Sequence, residues 1–471
     1  MKSHIILIFS ILLTLFCFGQ EKYETYPKNL VVYNDSFALR WGNESIGKYI
    51  LKSDSVNFNN GALAGAYVTL YYNNDSIKVE YKNKLPYGQY TYFNFINNSK
   101  KKTIRLGFDA QPSIFTKKYM VENSGKVKYD IPEVYELANI IWTLSPSGNN
   151  AKDLNKESKY YKELLTYFKP YLNHPIFKAL DLPDSLYFNS YYNFRENSFA
   201  FNFKNSISTN LLYNGPYYYV YGDEYADSSL FGKLKPLVED FAKKSNFKAF
   251  YKKNTAYYRQ QIKREGELLP VKQMWTWLEV QFPNTKYHSY RIVFSPLIGG
   301  SHSTQNYRSY NNKKLFAESV MFICNTDRVD NNNTLSEKKR EGIMSGIVFT
   351  EIDHNYVNIV SNKFRKVIDS IFSNRDTWTN KGNSSSFYGK PVSVFNEYMT
   401  WSVFCLYILD NYDKEEADFI INERETRMVE KRNFIKFNKF NKALIKFRHD
   451  NKDLKVFELY PYILDWCKQQ L

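Results

Sequence analysis

The chain has 471 residues, with 64 Lys and Arg against 48 Asp and Glu and a formal net charge of +16 at pH 7. This length is enough for two or three domains of ordinary size. In a cytoplasmic protein such a charge would favour nucleic acid as a partner, whereas in an exported protein it favours acidic glycans or an anionic membrane surface.

The N-terminus has the pattern of a secretory signal peptide over residues 1–19. Lys2 precedes a short apolar run, Ile5–Phe18, and small residues then offer a cleavage site. We therefore expect a secreted or periplasmic protein with no nucleic-acid partner. Acylation of Cys17 is disfavoured because the bulky Phe16 precedes it. No later stretch reaches the roughly 18 apolar residues of a spanning helix, so no transmembrane span is predicted.

Residues 20–130 have the pattern of a small β domain. Two alternating runs, Ala66–Tyr72 and Ile77–Tyr81, flank an Asn/Asp/Ser turn and predict a hairpin. Further short aromatic runs near Tyr90 and Thr103 are also typical of strands. The predicted architecture of this region is a β-sandwich.

Helical periodicity dominates from residue 131 to 471. It begins after Ile131-Pro132 and recurs in 160–171, 234–253 and 254–266. One strand interrupts it, Tyr290–Phe294, followed by a loop with Gly299-Gly300. The three cysteines here lack the close, even spacing of a disulfide framework. The fold class is therefore α+β: a small N-terminal β domain followed by a mostly helical domain.

One helical segment, Ile343–Ser361, carries part of a zinc-protease motif. In H-E-x-x-H, two histidines one turn apart bind zinc and the glutamate between them acts as a base. Here the five positions read Thr350-Glu351-Ile352-Asp353-His354. The base and the second histidine are present, but a threonine stands in place of the first histidine.

A second helix follows about forty residues later and is apolar almost all round, which predicts that it is buried. Glu397 is its only carboxylate before Asp410. Its spacing after His354 suits a third zinc ligand. Two simpler explanations remain open: His354 is a hydrogen-bonded core residue, and Glu397 stabilises the N-terminus of its own helix.

Several segments together resemble a family of secreted bacterial proteins, a domain of unknown function with a gluzincin-like core. Its members read H-E-F-x-H-x-x-V-N at the helix and have a downstream glutamate. The matching segments are Pro132–Leu137, Val293–Leu297 with Gly299-Gly300, Thr350–His354 with Val357-Asn358, and Asn396–Tyr398. The resemblance covers residues 131 to the C-terminus and implies a zincin-like fold there.

Carried over by position, the resemblance makes Glu351 the general base and His354 and Glu397 zinc ligands. Asn358 matches the family's asparagine. Thr350 departs from the family pattern, and its neutral hydroxyl is a poor zinc ligand. Three outcomes follow: a pseudoenzyme without metal, a rewired site in which His302 replaces the lost ligand, or a helix that never bound metal.

If zinc is bound, the expected activity is hydrolysis of a peptide or protein. Zinc and Glu351 would activate a water molecule, and Glu351 would pass the proton to the leaving amine. The sequence thus leaves open whether the protein is an enzyme.

The alternative function is a binding or surface-interaction protein without catalysis, whose ligand is a glycan, a protein or an anionic membrane. A basic segment, Lys431–Arg448, has an apolar stripe at helical spacing, formed by Phe437, Phe440, Leu444 and Phe447. Basic amphipathic helices bind anionic membranes. A helix packed on the core with a solvated basic face explains the same pattern.

Overall fold

The computed structural model divides the chain into two compact units, residues 1–111 and 112–471. The residues it describes are the strands between 36 and 107, as backbone, and 115–149, 151, 153–213, 217, 229–311 and 314–471. Side chains are described from residue 115 onward, except at a few positions such as 308–315. The expected signal peptide, residues 1–19, lies outside the described residues.

The first unit contains antiparallel strands. One sheet has the order β1-β2-β5-β6, and β3–β4 and β7–β8 form two further pairs. The strands are β1 Ser36–Trp41, β2 Glu44–Leu51, β3 Val56–Asn57, β4 Gly61–Ala62, β5 Tyr67–Tyr72, β6 Asp75–Glu80, β7 Tyr90–Asn97 and β8 Lys100–Gly107. The hairpin expected from the alternation is present, with Tyr72 opposite Asp75. A sandwich packing of these sheets remains a prediction.

The second unit is mostly helical and has a mixed four-stranded sheet of order β13-β14-β12-β9. Its strands are β9 Val127–Asp130, β12 Ser289–Ser295, β13 Ser303–Asn311 and β14 Lys314–Cys324. The central strand β12 runs parallel to both β9 and β14, and β13 pairs antiparallel to β14 at the edge. Two short strands, β10 Phe201–Phe203 and β11 Leu211–Tyr213, form a separate pair.

The described α-helices surround this sheet and build the core. They are α1 Lys117–Asn123, α2 Glu133–Leu144, α3 Pro146–Asn149, α4 Lys159–Phe168, α5 Pro175–Ala179, α6 Asp184–Asn197, α7 Leu230–Lys244, α8 Phe247–Lys253, α9 Thr255–Leu268, α10 Val271–Gln281, α11 Asp327–Asp330, α12 Glu337–Lys363, α13 Arg365–Ile371, α14 Pro391–Asn411, α15 Lys414–Thr426, α16 Phe437–Asp450 and α17 Tyr460–Lys468. A π-helical turn, Arg427–Lys431, follows α15. The α+β class is thus confirmed at this level.

Two long helices, α12 and α14, pack against each other at the centre of the second unit. The hydroxyl of Ser336 caps α12 by accepting a hydrogen bond from the backbone N–H of Lys339 at 3.2 Å. Pro391 begins α14 at the first helical position, where a missing N–H costs nothing. The helix α14 is long and apolar enough to cross a membrane, but 78% of its apolar window is buried inside the fold, as in a core helix.

The basic amphipathic helix, now α16, packs on the core. Phe437, Phe440 and Leu444 are fully buried, and Phe447 packs against the same core. The stripe that would enter a membrane is therefore already covered by protein. Its basic residues face outward, as the simpler explanation of this pattern predicted.

The boundary between the units differs from the one expected between residues 130 and 131. It falls between Gln111 and Pro112, so β9 belongs to the second unit. Val127–Asp130 pair with Tyr290–Val293 of β12. A four-residue edge strand has too little alternation to be distinguished from the β pattern before it.

Candidate functional site

The side chain at the first ligand position of the motif points back to its own helix. The hydroxyl of Thr350 donates to the backbone carbonyls of Gly346, at 2.9 Å, and Ile347, at 3.1 Å. A threonine in a helix interior commonly bonds backward in this way. The donor hydrogen of Thr350 is therefore used within α12, and the hydroxyl is directed along its own helix toward the preceding turn.

His354 and Glu397 do come together, from α12 and α14. The distance between His354 Nε2 and Glu397 Oε1 is 3.5 Å. Two ligands of a tetrahedral zinc ion, each bonded at about 2.0–2.1 Å, lie roughly 3.4 Å apart. The pair predicted from the sequence thus has the separation that two zinc ligands require.

The second oxygen of Glu397 is held by a group of side chains that the sequence did not indicate. Arg432 Nη2 lies 2.8 Å from Oε2, and the indole N–H of Trp401 donates to it at 3.1 Å. Arg432 also donates to the hydroxyl of Tyr388 at 2.7 Å. Glu397 is 3% exposed, so its charge depends on these partners. They fix the carboxylate with Oε1 facing His354.

Glu351 lies on the side of α12 that faces the edge strand. The hydroxyl of Thr304 on β13 bonds the backbone carbonyl of Glu351 at 2.8 Å and its Oε2 at 3.2 Å. Burial raises the pKa of Glu351, and the charges of Glu397 and Glu196 raise it further, while His354 and Thr304 lower it. A raised pKa makes the carboxylate a stronger proton acceptor.

His302 lies among cations. Its Nε2 is buried without a hydrogen-bond partner. Burial, together with the charges of Arg328, Arg195 and Arg427, lowers the pKa of His302 to about 3. Within the residues that the structure describes, no three His, Cys, Asp or Glu side chains are grouped to hold a metal ion. His302 therefore does not complete a site with His354 and Glu397 in this structure.

The residues present thus fit a zinc ion only in part. Two donors have suitable spacing, but the third ligand of a catalytic site is missing, because Thr350 bonds its own helix and His302 lies elsewhere. A catalytic zinc normally needs three protein ligands. We therefore derive no reaction step through zinc.

Strand β13 forms a polar wall beside the motif helix. Thr304 and Asn306 point toward α12, where Asn306 Nδ2 donates to Asn355 Oδ1 at 2.7 Å. The alternate residues Ser303 and Gln305 both bond Glu196 at the end of α6. Among the strands that the structure describes, β13 pairs with β14 alone and lies at the edge of the sheet.

Asn358, the residue that matches the family's asparagine, joins the two helices of the site. The amide of Asn396 donates to Asn358 Oδ1 at 2.7 Å, so the bond links α12 to α14 one turn beyond His354. This contact is a positioning role, because it fixes the two helices that carry His354 and Glu397.

Four arginines border the site, and we call them the arginine cluster: Arg328, Arg424, Arg427 and Arg432. Arg424 stacks on the Trp401 ring, with its guanidinium carbon 3.8 Å from the ring centroid. The π-helical turn connects Arg427 and Arg432, because the N–H of Arg432 donates to the carbonyl of Arg427 at 3.0 Å. Such turns frequently occur at functional sites. Sequence reasoning missed the cluster, since these residues carry no motif.

A separate cavity of about 500 Å³ lies beside Arg328 and contains none of the motif residues. Its lining includes Cys324, Asn325, Asp327 and Glu157. It carries acidic as well as basic groups and therefore has no single charge preference. We do not assign the predicted chemistry to it.

No protein-family model matches this chain, and no curated protein or solved structure is significantly similar to it. The resemblance to a gluzincin-like family therefore stays a prediction. The geometry of the site is therefore what bears on the function.

Proposed function

We propose that this protein is an exported peptide-binding protein with a zincin-like architecture and without metal-dependent catalysis. One observation carries the proposal: the hydroxyl of Thr350 bonds its own helix, 2.9 Å from the carbonyl of Gly346, where the first zinc ligand would stand. The remaining donors, His354 and Glu397, are one ligand short of a catalytic zinc site. On this proposal, the protein has the helices of a zincin-like architecture and lacks the zinc-dependent hydrolysis.

The edge strand beside the site supports a peptide as the ligand. A strand with one free edge presents unpaired N–H and C=O groups, and an extended peptide adds to such an edge through main-chain hydrogen bonds. Within the described part of the chain, strand β13 has one paired neighbour, β14, and its Thr304 contacts Glu351. A peptide on β13 would therefore pass alongside Glu351 and His354.

The first test is the zinc content of the purified mature protein by mass spectrometry, beside a His354→Ala control. We expect no stoichiometric zinc in either protein and no peptidase activity. About one zinc per chain in the wild type, lost in the control, would overturn the proposal in favour of a rewired metallohydrolase. It would then direct attention to the ligand that replaces Thr350.

The second test addresses the peptide. Addition of an extended peptide to β13 should slow hydrogen exchange of the free backbone amides of that strand. A pool of synthetic decapeptides, added to the full chain, should give this protection in β13 and not in β9. Unchanged exchange in β13 at saturating peptide would contradict strand addition.

A further inference from the structure

The arginine cluster has more positive charge than the described carboxylates around it compensate. Arg432 pairs with Glu397 at 2.8 Å, and Arg427 Nε lies 3.5 Å from Glu423 Oε1. Among the residues that the structure describes, Arg424 and Arg328 form no ion pair with a carboxylate, and neither guanidinium group makes a hydrogen bond. Two of the four guanidinium groups therefore have no ion-pair partner of their own, although the charge of Glu423 offsets part of that of Arg424.

The charge of Arg424 is the less favourable of these two because it is buried. Arg424 is 3% exposed, and its Nε has no hydrogen-bond partner. Burial, with the charges of Arg427 and Arg432, lowers the pKa of Arg424 to about 9. An unpaired charge in this environment is unfavourable because burial removes the water that would solvate it. An anion bound nearby would remove that cost.

His302 adds a hydrogen-bonding group to the same region. An imidazole nitrogen donates or accepts a hydrogen bond according to its tautomer. The Nε2 of His302 is buried and has no hydrogen-bond partner among the described residues, and its charged neighbours are Arg328, Arg195 and Arg427.

We propose that Arg328, Arg424 and Arg427, with His302, bind an oxyanion, and that this anion is the carboxylate of an acidic residue in the peptide bound beside β13. Guanidinium groups match the planar carboxylate and form charge-assisted, often bidentate hydrogen bonds with it. The choice of a peptide as the carrier rests on the proposed function, whereas the oxyanion site itself does not.

The position of the cluster supports one continuous site. Arg424 lies over Gly346, one turn before Thr350 on α12. Arg432 contacts Glu397, and His302 lies in the loop that leads into β13. An acidic side chain one or two residues from the segment beside Glu351 would reach the arginines. The cluster would thus select the sequence of the peptide rather than its backbone.

The test is calorimetric titration of the full chain with a blocked hexaglutamate peptide, a blocked hexaglutamine peptide and inorganic phosphate. Arg427→Gln and Arg328→Gln remove the proposed contacts, and Arg259→Gln is the matched control because Arg259 is an exposed arginine on α9 outside the proposed site. We expect each cluster variant to weaken binding of hexaglutamate about tenfold, the effect of one charge-assisted hydrogen bond. Arg259→Gln should change it less than about twofold.

The outcomes separate the two proposals. Binding of hexaglutamate that depends on Arg427 and Arg328 supports both. Equally tight binding of phosphate, with the same dependence and without peptide binding, supports the oxyanion site and removes the peptide as its carrier. Equal binding of hexaglutamine and hexaglutamate, insensitive to both variants, overturns the oxyanion site and leaves the peptide-binding function standing. The absence of binding by all three probes overturns the site.

Discussion

Arg424 lies so close over Gly346 that a Cβ atom on the glycine would be 2.4 Å from Arg424 Nη2. One turn earlier, a Cβ on Gly342 would be 2.1 Å from Ile420 Cδ1. Gly342 and Gly346 are four apart on α12, and Ile420 and Arg424 are four apart on α15. Two glycines on one helix thus accommodate two long side chains of the other, and this contact sets the position of Arg424 beside the site.

Gly342→Ala should destabilise the protein although alanine favours a helix by about 1 kcal/mol over glycine. The added methyl overlaps Cδ1 and Cγ1 of Ile420, at 2.1 and 2.8 Å. Overpacking of this kind costs roughly 1–3 kcal/mol. Thermal unfolding of the two proteins measures the difference. Gly389→Ala is the control, because no atom lies within 4 Å of a Cβ there, and a rise in stability for Gly342→Ala would contradict the packing described.

Thr350→His should create zinc binding where the wild type has none. The new imidazole would stand one turn before His354, on the same face of α12, and complete a set of three donors with Glu397. We expect about one zinc per chain by mass spectrometry, lost again in the double variant Thr350→His, His354→Ala. A folded Thr350→His protein without zinc would mean that Arg432 holds Glu397 away from a metal ion.

Asp353→Asn should make the protein more stable at neutral pH. Both carboxylate oxygens of Asp353 are buried without a partner, and burial, with the charges of Glu397 and Glu351, raises its pKa well above the ordinary value. In the unfolded chain the carboxyl titrates near about pH 4, and in the folded protein it titrates at a higher pH. Between these two values, the folded state holds a proton that the unfolded state has released. The free energy of unfolding therefore falls as pH rises through this range.

The asparagine has no proton to lose, so the free energy of unfolding of Asp353→Asn should not fall with pH in this range. At pH 7 it should exceed that of the wild type by roughly 1–3 kcal/mol. Melting temperatures from pH 4 to pH 8 measure the difference. Asp376→Asn removes the same charge from an exposed position and should leave the slope unchanged. Parallel curves for wild type and Asp353→Asn would show that the pKa of Asp353 is not raised in the folded protein.

A chain that begins at residue 131 should be less stable than one that begins at residue 112. The shorter chain lacks β9, whose residues Val127–Asp130 pair with β12. It also loses Asp130, which forms an ion pair with Arg291. Comparing the urea midpoints of the two purified fragments tests this, and equal midpoints would mean that β9 contributes nothing to the sheet.

Much of the second unit could be predicted because local pattern and tertiary structure agree there. The predicted strand Tyr290–Phe294 lies within β12, and the apolar run after Pro391 is the buried helix α14. His354 and Glu397, which the sequence suggested as ligands of one metal ion, lie 3.5 Å apart, and their role as ligands stays a prediction. For the strand and the helix, the decisive signal is a periodicity within one short segment.

Arg432, a partner of Glu397, could not be predicted because it comes from a distant segment without a motif. It directly follows the π-helical turn, and no periodicity reports its approach to Glu397. Trp401 lies one turn after Glu397 on α14, but an indole at that spacing does not by itself indicate a hydrogen bond. The hairpin of β13 and β14 was also missed. Its signal was present, since polar Asn311 and Asn312 separate two alternating runs, but the polar side chains of β13 do not look like a buried strand.

The three cysteines of the second unit, Cys324, Cys405 and Cys467, are buried free thiols. Burial raises the pKa of Cys324 and Cys405 to about 12, and that of Cys467 is raised as well. The native thiols should therefore react with an alkylating reagent only after the fold opens around them. Because one thiol lies at the end of β14, one in α14 and one in α17, the alkylation rate of each reports the local opening of the sheet, the central helix and the C-terminal helix separately.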